Sequence, residues 1–300
     1  MDRKWIYYVG LGLVSIIWGA NFGVSRSAME TFDPILFTFI RFGGAIPFFF
    51  LLLKIREGSV GITWKAALKL AVIGLIGVTV LEIAVMYSIK YTTLANASLL
   101  NVAPWPIFAA LLAPLFVKEK FTSRLAVGGA AAAVGVVLII TGGGDGLDLS
   151  SEHMIGNLLA LGVSIIGALF NLACMPLMKQ YSALRVSAWF ILFGALFMFP
   201  LTLGSWGKVE WASLGAGHYA AIGYNILICT LFAFVVWNAC MFKIGAARAN
   251  FFRYIVPASA VVVGYIMFNE QVTMLQLGGG ICIALGLVWI GMERQQKPGI

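Results

Sequence analysis

The stretch KLAVIGLIGVTVLEIAVMYSI, residues 69–89, decides the class of fold. Between Lys69 and Lys90 it carries one charge, Glu82. A helix rises 1.5 Å per residue, so about 20 apolar residues cross the hydrocarbon of a bilayer. Inside that layer a backbone must satisfy its own hydrogen bonds, which restricts it to a helix or a closed barrel. The run shows no apolar–polar alternation, so it reads as a helix.

The same reading, carried outward, predicts ten spans. They lie at about 5–25, 34–53, 69–89, 94–116, 125–143, 154–178, 186–204, 219–242, 247–268 and 272–292. The first follows Met1-Asp-Arg-Lys, lacks a small-residue cleavage site and is long enough to cross, so it is read as a retained helix and not a signal peptide. The whole composition agrees: 61% of residues are hydrophobic and 11% charged, where soluble domains carry about 25% charged residues. Little chain is left for an extramembrane domain, so any activity must sit within the bilayer.

Net charge is +8, but the cations are scattered through short loops with no basic stripe, and no nucleic-acid partner is expected. Their distribution reports topology. With the N-terminus inside, fifteen fall on the inner side: Arg3, Lys4, Lys54, Arg56, Lys65, Lys69, Lys118, Lys120, Arg124, Lys179, Arg185, Lys243, Arg248, Arg294 and Lys297. Only Arg26, Lys90 and Lys208 fall outside. Both termini are therefore expected in the cytoplasm, and the protein in the inner (plasma) membrane. Cys174, Cys229, Cys240 and Cys282 lie inside apolar runs and read as small packing residues. There is no P-loop, no zinc-binding HExxH and no Ser-His-Asp set at one depth, so neither an ATP-driven pump nor an enzyme is expected, and no cofactor or metal.

The two halves repeat. Val14-Ser-Ile-Ile17 recurs as Val163-Ser-Ile-Ile166, and Asn21 lines up with Asn171. Lys90 precedes Pro104 by fourteen residues, as Lys243 precedes Pro257. Glu119 leads to Gly128-Gly129 and Gly135 at the spacing with which Glu270 leads to Gly279-Gly280 and Gly286. The domains are therefore residues 1–145 and 146–300, five helices each. An odd number of spans makes the second half enter from the opposite face. The predicted fold is an all-α integral membrane protein of ten transmembrane helices in two inverted five-helix repeats. Such repeats build secondary transporters with a site between the halves. A duplicated scaffold or anchor is the competing reading, but an anchor gains nothing from ten spans and small-residue seams.

The ordered set Trp18-Gly-Ala-Asn-Phe22, Arg41-Phe42, Ala95-Asn-Ala-Ser-Leu-Leu100 with Pro104, Lys118-Glu-Lys120, Trp237-Asn238, Gly245-Ala-Ala-Arg-Ala249, Pro257 and Asn269-Glu270 resembles the EamA family of the drug/metabolite transporter superfamily. The resemblance covers nearly the whole chain. It implies ten helices, export of small metabolites such as amino acids, and a central cavity lined by helices 1, 3, 4, 6, 8 and 9. Gly167-Ala-Leu-Phe-Asn171 departs from it by lacking the tryptophan.

Symmetry separates architecture from chemistry. Arg41 aligns with Ile191, Glu82 with Val235 and Arg253 with Leu100. A charge inside a span costs about 2.5–3.5 kcal/mol on insertion scales, so each of the three needs a partner or a cavity. Arg41 either pairs with Glu82, lying at similar depth, or snorkels to the outer interface or pairs with Asp33. Glu82 reads as a proton-titrating carboxylate or a counter-charge for a substrate ammonium. Arg253 faces a substrate carboxylate or a lipid phosphate. Trp18, Asn21, Asn101, Trp105, Asn171, Trp237, Asn238 and Tyr254 complete the expected substrate cavity, with helix–helix hydrogen bonding as the plainer alternative. Pro104 and Pro257 are expected as paired hinges. Glu119 and Glu270 are expected to cap helices 5 and 10. Trp5, Tyr7, Tyr8, Trp64, Trp206, Trp211 and Trp289 read as an interfacial belt. The expected partners are a small-molecule substrate and the lipid bilayer, with the chain a monomer. Amino acids, aromatic or otherwise neutral, are the expected substrates; drug, sugar and nucleotide-sugar carriage are the alternatives, ahead of a channel or an intramembrane enzyme.

Overall fold

A computed structural model describes residues 4–116, 123–143, 151–244, 249 and 252–294. Among these residues every regular element is helical. In chain order they are α1 (Lys4–Ala28), α2 (Pro34–Glu57), α3 (Trp64–Gly74), α4 (Leu81–Tyr91), α5 (Leu94–Val102), α6 (Trp105–Phe116), α7 (Ser123–Gly142), α8 (Glu152–Met178), α9 (Ala183–Thr202), α10 (Ala216–Gly223), α11 (Ala233–Ile244), α12 (Ile255–Phe268) and α13 (Met274–Arg294). Two π-helical stretches, Leu75–Val80 and Tyr224–Phe232, join α3 to α4 and α10 to α11 without a loop. Among the described residues six helices are, by length and composition, long and apolar enough to cross a membrane, and Ala126–Gly142, Ile255–Phe268 and Met274–Trp289 are shorter apolar helices. The outward surface suits lipid: Ile55 and Ile266 are each 71% exposed, and a water-soluble protein rarely leaves so much large apolar surface open.

Local chemistry sets several helix ends. Asp33 accepts hydrogen bonds from the Ile35 and Leu36 amides and starts α2. Thr63 caps α3 at Ala66, which moves that span's start to Trp64, ahead of the expected residue 69. The fourth expected span is broken at Ala103–Pro104, and in the ninth a turn at Arg253–Tyr254 precedes α12. Proline has no N–H to give, and the first turn of a helix needs none. Each helix therefore restarts just around its proline, with Pro106 in the first turn of α6 and Pro257 in the first turn of α12.

The helix pairs interlock. Ile16 and Gly19 meet Val256–Ser259, Gly23 meets Val263, and Arg26 meets Glu270, so α1 and α12 run parallel. Asn157 meets Thr92 and Asn96, Ser164 meets Leu100 and Asn101, and Gly167 meets Trp105, so α8 runs parallel to α5 and α6. By the sequence repeat these two pairs are equivalents with the halves exchanged. The remaining seam is reciprocal. A Cβ on Gly135 would meet the Gly279 carbonyl, one on Gly279 would meet the Gly135 carbonyl, and one on Gly286 would meet the Gly128 carbonyl. Since Gly128 and Gly135 repeat as Gly279 and Gly286, α7 and α13 pack antiparallel through swapped equivalent positions, as a twofold relation requires.

Glu270 departs from expectation. It does not cap α13, whose start is held by Thr273 and Gln276. Asn269 ends α12 at φ 54°, in the left-handed region, and the Glu270 amide donates back to the Gly264 carbonyl at 3.1 Å. That reversal points the carboxylate inward. It pairs with Arg26 and accepts from the Leu94 amide at 2.8 Å, so it caps α5 in the other half. Glu119, its repeat partner, lies outside the described residues.

Candidate functional site

Two charged clusters, around Arg41 and around Arg253, meet at one residue of the second π-helical stretch. In the first, α2 carries Arg41, buried at 6% exposure, toward Glu82 at the start of α4; the ion pair spans 3.3 Å. The Arg41 Nε donates to Thr230 Oγ1 at 2.9 Å, and an Nη donates to Cys229 Sγ at 3.7 Å. Its guanidinium also lies 4.6 Å from the Phe42 ring centre. Arg41 thus neither snorkels nor reaches Asp33, which is engaged at the start of α2. Four neighbours share the desolvation cost of the one cation.

The second cluster surrounds Arg253. Its guanidinium carbon lies 4.3 Å from the Trp105 ring centre, 5.6 Å from Trp237 and 5.8 Å from Trp18. Trp18 and Trp237 are themselves 5.0 Å apart. The ion pairs among the described residues are Arg26–Glu270, Arg41–Glu82 and Arg185–Glu57; Arg253 belongs to none of them. Gly167 makes room for the cage, since a Cβ there would strike the Trp105 indole. Counted from the repeated Val14-Ser-Ile-Ile17 and Val163-Ser-Ile-Ile166, Gly167 stands at the position of Trp18. The indole missing from α8 is thus replaced in space by one from α6.

Cys229 links the clusters. Its carbonyl accepts the Trp18 indole N–H at 3.1 Å, while its thiol faces Arg41. Tyr224, in the same stretch, donates its hydroxyl to the Ile17 carbonyl at 2.7 Å. A π-helical turn widens the backbone and frees carbonyls for outside donors, a common device at functional sites. The offset of 153 residues that carries Lys90 to Lys243 and Pro104 to Pro257 carries 75–80 to 228–233, so the two π-helical stretches overlap under the repeat.

The other expected site residues are dispersed around this centre. Asn21, one turn beyond Trp18, is buried, and its Oδ1 has no partner among the described residues. The Trp105 indole nitrogen is likewise buried and without a partner among the described residues. Tyr254 donates to the Ala103 carbonyl at 3.3 Å, and Ser164 donates to the Leu100 and Asn101 carbonyls, so the break between α5 and α6 is held by its neighbours. Asn101 is buried beside that break, with Pro104 following it. Pro257 sits three residues beyond the turn that holds Arg253 and Tyr254. Asn238 lines a 640 Å³ cavity with Phe49, Arg56, Glu57 and Tyr181, apart from the cage. Asn171 is exposed on α8 and joins neither cluster. Sequence reasoning missed Thr230, Ser164 and the π-helical stretches, and read Cys229 only as a packing residue; of these, Ser164, within the repeated Val-Ser-Ile-Ile, carried a signal that could have singled it out.

The described residues contain no group of three or more histidines, cysteines and carboxylates that could hold a metal. Around Cys229 they offer instead the Arg41–Glu82 pair, a cation over indoles, and unsatisfied groups on Asn21 and Trp105. That equipment suits binding.

The comparisons agree with a binding role. The pattern of the EamA-like transporter family matches twice, over residues 5–141 and 154–292. An uncharacterized transporter of Bacillus subtilis (strain 168), YetK, is 26% identical over 292 residues, covering 97% of this chain and 88% of that protein. A probable terminal-alkyne amino-acid exporter of Streptantibioticus cattleyicolor is 25% identical, covering 96% of this chain and 93% of that protein. A crystal structure superposes with a TM-score of 0.67 at 16% identity, over 96% of this chain and 98% of the other, which speaks for the fold alone.

Proposed function

The chain belongs to the EamA-like transporter family, and from that premise we propose that this multi-pass membrane transporter exports neutral or aromatic amino acids by alternating access. Residues 1–145 and 146–300 form two inverted five-helix halves. Both termini face the cytoplasm, and the protein resides in the inner membrane. The monomer is the working unit. Its substrate passes between the halves, contacting Trp18, Asn21, Asn101, Trp105, Trp237, Arg253 and Tyr254, with Asn171 and Asn238 along the route. Glu82, held by Arg41, is the proton site, and the breaks at Pro104 and ahead of Pro257 are the paired hinges.

The observation that carries this reading is the composition of the tryptophan cage. Trp18 and Trp105 come from the first half, Trp237 and Arg253 from the second. A site built equally from both halves is remade whenever they move past each other. The swapped packing of α1 on α12 and of α8 on α5 and α6 supports the same view, as do the glycine seams that permit close sliding. The amino-acid-exporter name of one relative supports the substrate class.

The test is uptake of labelled amino acids into purified proteoliposomes loaded with the same amino acid. Stimulated uptake of at least one neutral amino acid is the expected result. Uptake of sugars or cationic drugs, with no amino acid exchanged, overturns the substrate class.

A further inference from the structure

We propose that Arg253, within its cage of Trp18, Trp105 and Trp237, is the subsite that takes the carboxylate of the transported molecule. This rests on the export reading above and names the chemical group it selects.

Three observations converge. The guanidinium lies over three indole rings, and among the described residues it donates to no acceptor and pairs with no carboxylate. Cation–π contacts address the faces of a guanidinium and leave its N–H edge unused. Arg41 shows the contrast: the same group in the same interior is given a carboxylate, a hydroxyl and a thiol. Arg253 is thus a cation positioned by its surroundings but not neutralised by them. The second observation is the Trp105 nitrogen, buried and unpartnered among the described residues, a further donor beside the cation. The third is what is missing from the cage. Its polar atoms are donors only, so it fits an anion and repels an ammonium.

A carboxylate completes this inventory better than other anions do. Its two oxygens match the planar fork of arginine, in a bidentate pair. The indole walls accept an apolar body attached to it. Asn21 Oδ1, unpartnered one turn along α1 from Trp18, is an acceptor for the ammonium of the same molecule. Donors at one end and an acceptor toward the other orient a zwitterion along α1.

The probes are L-phenylalanine, its methyl ester and phenethylamine, read by titration calorimetry in phosphatidylcholine nanodiscs. L-phenylalanine is expected to bind about tenfold or more tightly than either analogue, the scale of one charge-assisted hydrogen-bonded pair. Arg253→Met is expected to remove that preference by weakening only the acid. Arg253→Lys is expected to fall between, since it keeps the charge and loses the fork. Thermal melts confirm that each variant folds, and the same titrations on Trp105→Phe follow the second donor. If Arg253→Met binds the acid within about threefold of the parent, the carboxylate assignment fails while amino-acid export stands. If neither L-phenylalanine nor L-leucine binds or exchanges, the export reading fails and takes this assignment with it. A last arm adds phosphatidylglycerol to the nanodiscs. Unchanged affinity for the acid is expected; competition by that lipid would make the cation a lipid-phosphate anchor and overturn the proposal.

Discussion

The indole N–H of Trp18 donates to the backbone carbonyl of Cys229 at 3.1 Å, within the π-helical stretch Tyr224–Phe232. The same ring forms one wall of the Arg253 cage. A single side chain therefore ties the irregular segment of one half to the charged centre shared by both. Trp18→Phe keeps a ring over the cation but leaves the carbonyl without this donor. The expected cost is about 1–3 kcal/mol, that of an unsatisfied buried acceptor, seen as a lower melting temperature in detergent. An unchanged melt would mean that the bond contributes nothing net.

Arg41 and Glu82 are tested as a pair. Removing one partner of a buried ion pair leaves an uncompensated charge and costs about 3–5 kcal/mol. Arg41→Met and Glu82→Gln are each expected to destabilise strongly. The double variant Arg41→Met/Glu82→Gln is expected to lose much less than the two single effects combined, because no lone charge remains. Additive effects would show that the two groups do not act together.

Glu82→Gln also separates coupling from packing. In proteoliposomes it is expected to abolish any dependence of flux on a pH gradient while exchange at equal pH persists. Full pH-driven flux in that variant would remove Glu82 from the proton site.

Gly77 lies in the first π-helical stretch, and a Cβ there would strike the Phe170 ring on α8. Gly77→Ala is expected to cost about 1–3 kcal/mol through overpacking, despite the better helix propensity of alanine. Phe170→Ala, combined with it, is expected to recover part of that loss. No interaction between the two substitutions in melting experiments would contradict the packing account.

Glu270 joins Arg26 to the amide of Leu94. Glu270→Ala is expected to cost about 1–2 kcal/mol, as loss of a helix cap does, and to leave affinity for substrate unchanged. A change in affinity with no change in melting temperature would move Glu270 from structure to site.

How much of this was legible in the sequence depended on how local each signal was. Apolar runs and the matched glycines are local or periodic, so the all-helical membrane character and the repeat could be read directly, while the seam of Gly135 on Gly279 came only with the packing. The partner of Glu270 could not, because its direction follows from the left-handed turn at Asn269 and from a helix 176 residues away. The cage was half legible. Its three tryptophans and Arg253 stood out as polar or bulky groups inside spans, but that Gly167 on α8 clears space for Trp105 on α6 is a fact of packing. The π-helical stretches left no trace, since one extra residue per turn does not alter a uniformly apolar pattern. Asn171 shows the opposite limit: it lines up with Asn21 only with a one-residue shift from the Val-Ser-Ile-Ile register, and it is exposed where Asn21 is buried.

Antiparallel halves are the claim beneath all of this, and side-specific thiol labelling tests it most directly. Single cysteines placed at Met1, Asp148 and Ile300, in a background without the four native ones, are probed with an impermeant reagent on intact cells and on inverted vesicles. The account predicts that positions 1 and 300 react only from the cytoplasmic face and position 148 only from the opposite one. Labelling of position 148 from the same face as position 1 would give the first half an even number of crossings and contradict the account.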